Sequence, residues 1–408
     1  MRALLKQRNF ALIWAGGLIS MIGNWVLLTA LPFYVYAMTG SALATSGILM
    51  AYIAPGVLFS SVAGVFADRW DRRRTMLVMA LSQGGVTLVL VLVQSTEWLW
   101  VVYVVTFAQS SLGQFFGPAE NALLPSLVGK EQLMAANSMN SMNDNLARLM
   151  GPAIGGVLLA WQGFGAIVVV DALTYFVAAG LIGLVQVAPQ ANPEEQAPIS
   201  WTQVWREWVA GLQLVRATSI LRNTFIVIAI ALFGDAILSA ILVVFVQDVM
   251  QVGAEGFGWI MAARGLGGLL GGVLLASAGK EIPPTRLITG SMFSIGVLTL
   301  IMITVPVMVV VLPLIVVVGV PAIGGMIATQ TILQQQTPDA FRGRVFGAFA
   351  TTITLLMFVG NALAGFGADV VGVTSILNSA AFIYIGAGVV AAFLFAGSAV
   401  VVLPSAAD

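Results

Sequence analysis

With 408 residues, 59% of them hydrophobic and only 8% charged, this chain has too few charges to cover a soluble core of its size. The absence of cysteine excludes disulfides, thiolate metal sites and thiol nucleophiles, and the absence of histidine leaves proton handling to Asp and Glu. Formal net charge is zero, so no nucleic-acid partner is implied.

The chain begins with Arg2, Lys6 and Arg8 ahead of a long apolar run. That run has no small-residue cleavage site and is too long for a signal peptide, so it predicts a retained first helix. Twelve spans follow from apolar length, at about 10–37, 43–66, 75–94, 98–122, 132–160, 164–187, 222–248, 256–278, 286–305, 307–333, 342–367 and 373–402. The fold class is therefore an all-α, multi-pass membrane protein.

Between the second and third spans lies Gly64 to Arg74, in which six of eleven residues are charged and four are arginine. Such a cluster cannot lie in hydrocarbon, so it reads as a surface loop on the cytoplasmic side. With the N-terminus inside, 15 of the 17 basic residues fall in cytoplasmic segments. The other two, Arg148 and Arg264, fall within spans. Both termini are thus expected to be cytoplasmic, in a cell (inner) membrane.

The longest polar stretch, 188–221, starts as a Pro- and Glu-rich linker. It continues with Trp201, Trp205, Trp208 and Leu212 at helical spacing, which predicts an amphipathic helix at the membrane surface. It separates residues 1–187 from 222–408, two six-helix halves. The halves repeat one another. Arg8-Asn9-Phe10 resembles the segment Arg222 to Phe225, and one offset of 211 residues relates Asn24 to Asp235 and Gly47 to Gly258. Two such halves place a substrate site near mid-membrane.

Gly64, Asp68, Arg69, Arg72 and Arg73 follow the loop signature of the major facilitator superfamily, with Asp71 where that family usually has Gly. Gly151-Pro152-Ala153-Ile154-Gly155-Gly156 resembles the core of its drug–proton antiporter signature. The segments 115–125 and 135–139 resemble the macrolide-efflux and enterobactin-exporter-like branch. The resemblance covers essentially the whole chain. It implies two pseudo-symmetric bundles, alternating access, a monomer, and export of hydrophobic or amphiphilic small molecules against protons. A siderophore exporter or lipid transporter of the same fold is the alternative. No cofactor, metal or enzymatic activity is expected, since no phosphate loop or nucleophile–base constellation occurs.

Asp68 and Arg72 are four apart, a spacing that shares a face on one helix. The resemblance implies that Asp68 braces the start of the eleventh span near Gly343, and that Arg72 reaches Glu120, forming a cytoplasmic latch. Among ionisable groups within spans, Asp235 sits near the midplane, where its repeat mate is the neutral Asn24. A lone carboxylate at that depth is the first candidate for carrying a proton or binding a cation. Asp144 and Arg148 are spaced for a local ion pair. Asp171 is a second partner open to Arg148, and Arg264 could meet Asp235 or an anionic substrate group. Proton-coupling candidates are therefore Asp235, Asp144, Asp171 and Glu120. Cavity candidates are Asn24, Asp235, Arg148 and Arg264. Gly151, Pro152, Gly155 and Gly156 read as hinge and packing devices.

Overall fold

A computed structural model describes residues 2–186, 201–278, 282–338 and 341–396. The side chains of 2–3, 60–69, 130, 149, 201–204 and 276–278 lie outside that description. Among the described residues the chain is helical without a strand.

Lipid offers backbone N–H and C=O groups no partners, so each apolar run closes its hydrogen bonds internally as a helix. The first four are α1 (Arg8–Thr39), α2 (Ala42–Arg69), α3 (Arg72–Leu88) and α4 (Leu99–Leu127). A 51-residue helical stretch, Leu133–Gly183, follows. Its backbone leaves the helical region at Gly163, with φ 77° and ψ 178°, where a residue without Cβ is favoured. This divides it into α5 (133–162) and α6 (164–183). The backbone stays helical through Pro152. Then come α7 (Trp201–Ala217), α8 (Ser219–Val244), α9 (Gly253–Ala278), α10 (Pro284–Thr304), α11 (Met308–Gln335), α12 (Arg342–Val371) and α13 (Val373–Phe395). Eleven described helices are long and apolar enough to cross a membrane. The break at Gly163 divides the longest of them, giving twelve crossing segments that follow the expected spans closely.

Two compact units emerge: Met1–Ala197 with Val252–Ala262, and Pro198–Gln251 with Ala263–Asp408. In the first unit α1 packs on the α5–α6 stretch, α2 on α4, and α3 on both α4 and the α5–α6 stretch. In the second unit α8 packs on α12 and α13, and α10 on α11 and α13. The repeat is thus visible as one pairing scheme used twice. It extends to single side chains. Asn9, at the start of α1, donates from Nδ2 to Gln186 O just past α6 (2.7 Å), and Gln186 N returns a bond to Asn9 Oδ1 (3.2 Å). Asn223, at the start of α8, donates to Leu394 O at the end of α13 (2.9 Å). Each clasp closes the first helix of a unit onto its last.

Close approach is set by small residues, as lipid gives helices no hydrophobic reason to associate. A Cβ on Gly155 would stand 2.8 Å from Val26 O, and one on Gly151 3.2 Å from Ile22 O, so both hold α5 against α1. Gly156 meets the backbone of Gly258, in the part of α9 that belongs to the same unit. Gly271 presses α9 on α11, 2.8 Å from Val320 Cα by the same measure.

Candidate functional site

Asp71 provides the local logic of the charged loop. Its carboxylate accepts from Arg74 N at 2.7 Å and caps α3, so the residue that departs from the signature starts the helix. The α2–α3 break at Trp70 and Asp71 puts Asp68 and Arg72 on different helices. The one-helix face expected from their spacing therefore does not exist. The side chains of Gly64, Asp68 and Arg69 lie outside the described residues. Arg72 Nη1 donates to Ala122 O on α4 at 2.8 Å. Arg73 donates to Ile182 O (3.2 Å) and Gly183 O (2.5 Å), capping the negative end of α6.

Glu120 is not Arg72's partner. Its Oε1 accepts from Asn140 Nδ2 at 3.3 Å and faces a cavity inside the first unit. The cavity measures ≈ 320 Å³. α1 contributes Ser20 and Asn24, α3 Gln83, α4 Glu120 and Asn121, and α5 Asn140, Asn143 and Asp144, with Tyr175 from α6. Asn140, Asn143 and Asp144 lie at i, i+3 and i+4, which puts them on one helix face. Asn143 is buried; its Nδ2 donates to Trp14 O at 2.9 Å, while its Oδ1 finds no donor. The lining holds two carboxylates and five amides and no Lys or Arg.

The local pair expected from spacing, Asp144 with Arg148, is not formed. Arg148 turns to the Trp25 ring, 5.3 Å from its centroid, leaving Asp144 to the cavity. The ring face attracts the guanidinium through its quadrupole, and a spacing of four residues does not compel the ion pair. Nor does Arg148 reach Asp171, which is 0% exposed. Asp171 Oδ2 accepts from Gln109 Nε2 (3.1 Å), which also donates to Thr87 Oγ1 (3.0 Å). Asp171 Oδ1 is buried without a donor and lies beside Gly23.

Asp235, expected to stand alone, has company. Tyr384 Oη donates to its Oδ1 at 3.2 Å, and Arg264 Nη2 lies 3.9 Å from the same oxygen. The Asp235 and Arg264 side chains are 33% and 56% exposed, respectively. Of the two partners left open for Arg264, the structure forms the one with Asp235.

The candidates thus separate. Asn24, Glu120 and Asp144 meet in one cavity, Asp171 is buried behind it, and Asp235 pairs with Arg264 in the other unit. The residues that sequence reasoning missed are Asn140, Asn143, Asn121 and Gln83. The first two share a helix face with Asp144, a signal blurred by Asn137, Ser138, Ser141 and Asn145 around them. Among the described residues no group of three or more acidic side chains converges as a metal site.

The family described as transmembrane secretion effector matches residues 2–400. The chain is 27% identical over 373 residues to macrolide efflux protein A of Streptococcus pyogenes, covering 90% of each chain. It is 26% identical over 380 residues to the enterobactin exporter of Escherichia coli O127:H6, covering 89% of this chain and 86% of that one. A bacterial homologue of the iron transporter ferroportin, solved in an inward-facing state, shares the fold with a TM-score of 0.70 at 16% identity. That likeness covers 96% of this chain and 98% of the other.

Proposed function

The chain belongs to the transmembrane secretion effector family of major facilitator transporters, and on that premise we propose that it exports amphiphilic small molecules bearing a cationic group, in exchange for protons. It is a multi-pass membrane transporter and not an enzyme.

The observation that carries the finer reading is the cation-free cavity in the first unit. Glu120 and Asp144 face it, and the other polar groups of the lining are amides and hydroxyls. Two carboxylates without a counter-ion favour binding either protons or an organic cation, and the two occupants compete. Competition of this kind is what exchange requires. An anionic catecholate would meet repulsion there, which favours the macrolide-type reading over the siderophore one. Asp235 is a weaker proton candidate, because a cation, Arg264, already stands 3.9 Å from it. Asp68 is retained as the gate residue at the cytoplasmic end, with Asp68→Asn expected to stop cycling and leave substrate binding intact. The cell membrane, with both termini cytoplasmic, is the location in keeping with this reading.

The test is proton movement in proteoliposomes, followed with a pH-sensitive dye against lipophilic cations, macrolides and catecholates. Cation-dependent proton flux that disappears in Glu120→Gln and persists in Asp235→Asn is the expected result. Flux elicited by catecholates alone, or lost only in Asp235→Asn, overturns the reading.

A further inference from the structure

Helix α7 lies outside the spans and is fastened on one side only. Val215 enters the core of the second unit together with Val345 of α12. A Cβ on Gly211 would stand 2.5 Å from Arg344 O, so α7 rests directly on the first turn of α12. A single non-helical residue, Thr218, separates α7 from α8. That short joint keeps α7 at the end of a span, the level at which lipid headgroups sit.

The other side of α7 is open. Trp205 is 63% exposed and stacks on Trp208 with ring centroids 5.0 Å apart. Arg216 lies three turns further along the same face as Trp205, and Arg206 flanks it. Both arginines are exposed. Arg222, at the start of α8, donates Nη1 to Arg216 O at 3.2 Å, which brings a third guanidinium to the patch. Among the described residues, none of these three makes an ion pair with a carboxylate, and α7 carries one acid, Glu207. The indole N–H of Trp208 is buried without an acceptor.

Indole rings prefer the boundary between water and hydrocarbon, and guanidinium groups bind phosphate through paired donors. We propose that the open side of α7, with Arg206, Arg216 and Arg222, is a binding surface for the headgroups of anionic phospholipids. This goes beyond the export reading and stands independently of it. The charge balance selects this occupant: three exposed arginines with no carboxylate partner among the described residues, beside the exposed Trp205 ring, suit a negative, amphipathic surface and suit a zwitterionic one poorly. Because α7 rests on α12, headgroup occupancy bears directly on the first turn of that span.

The experiment uses the full chain in bilayers containing spin-labelled phosphatidylglycerol or spin-labelled phosphatidylcholine. Each basic residue near an anionic surface changes partitioning by about fivefold, so removing three weakens binding by about a hundredfold. Wild type is expected to immobilise phosphatidylglycerol preferentially, and R206Q/R216Q/R222Q to lose that preference. An unchanged preference in the triple variant overturns the proposal and assigns lipid selectivity to other basic residues. A second measurement rests on the absence of native cysteine. A nitroxide on Trp205→Cys should be relaxed by lipid-soluble oxygen more than by a water-soluble nickel chelate when phosphatidylglycerol is present. Relaxation dominated by the aqueous reagent would show α7 standing off the bilayer, and the surface would not be a lipid site.

Discussion

Asn24 and Asp235 occupy matching positions in the two units, 211 residues apart, yet the charge around them is arranged in opposite ways. In the first unit the neutral residue looks into a cavity with two carboxylates and no cation. In the second, the carboxylate at that position sits between Arg264 and the Tyr384 hydroxyl. Packing, by contrast, is shared: the same helix pairs meet, and an asparagine clasp ties the first helix to the last in both units. The two units share a scaffold and differ in their electrostatics. A scaffold tolerates many apolar substitutions, whereas a charge within lipid persists only where it has a partner or a task.

The comparison breaks if charge removal has equal effects in both units. Glu120→Gln is expected to lower proton-coupled transport by roughly a hundredfold, the scale of a lost positioned proton carrier. Asp235→Asn should leave most of the rate, and initial-rate flux measurements in proteoliposomes decide between them. Packing should respond alike on both sides. A Cβ on Gly360 of α12 would collide with Ala236 of α8, as one on Gly155 would with Val26 of α1. Gly155→Leu and Gly360→Leu should each destabilise by about 2 kcal/mol through overpacking, read as lowered melting temperature of the purified protein. A large effect in one unit only would end the claim of shared packing. Asn9→Ala and Asn223→Ala remove the two clasps and should each lower stability by about 1 kcal/mol in the same assay. The smallest effect is expected for the Asp235–Arg264 pair. Both side chains are partly exposed, so a double-mutant cycle should return a coupling under about 1 kcal/mol.

The fold was legible because its signal is coarse. Apolar runs of sufficient length force helices in lipid, and the basic loops between them mark the ends. The site was legible only in part. Nothing in the order of residues says that Arg264 folds toward Asp235, or that Arg148 prefers the Trp25 ring to the carboxylate one turn away. Spacing of four residues permits an ion pair without compelling it. Spacing also misled at Asp68 and Arg72, where the capping role of Asp71 places a helix start between them. Asn140, Asn143 and Asp144 share a helix face, but Asn137, Ser138, Ser141 and Asn145 beside them blur that stripe, so spacing alone did not mark a cavity wall.

The asparagine clasps have one more consequence, for the order of connection. Within each unit, the place where the chain enters α1 or α8 adjoins the place where it leaves α6 or α13. A bundle closed in this way has no physical first helix. A gene rearranged to join those adjoining ends, and opened instead at a turn between two later helices, would encode the same six-helix ring in a different reading order.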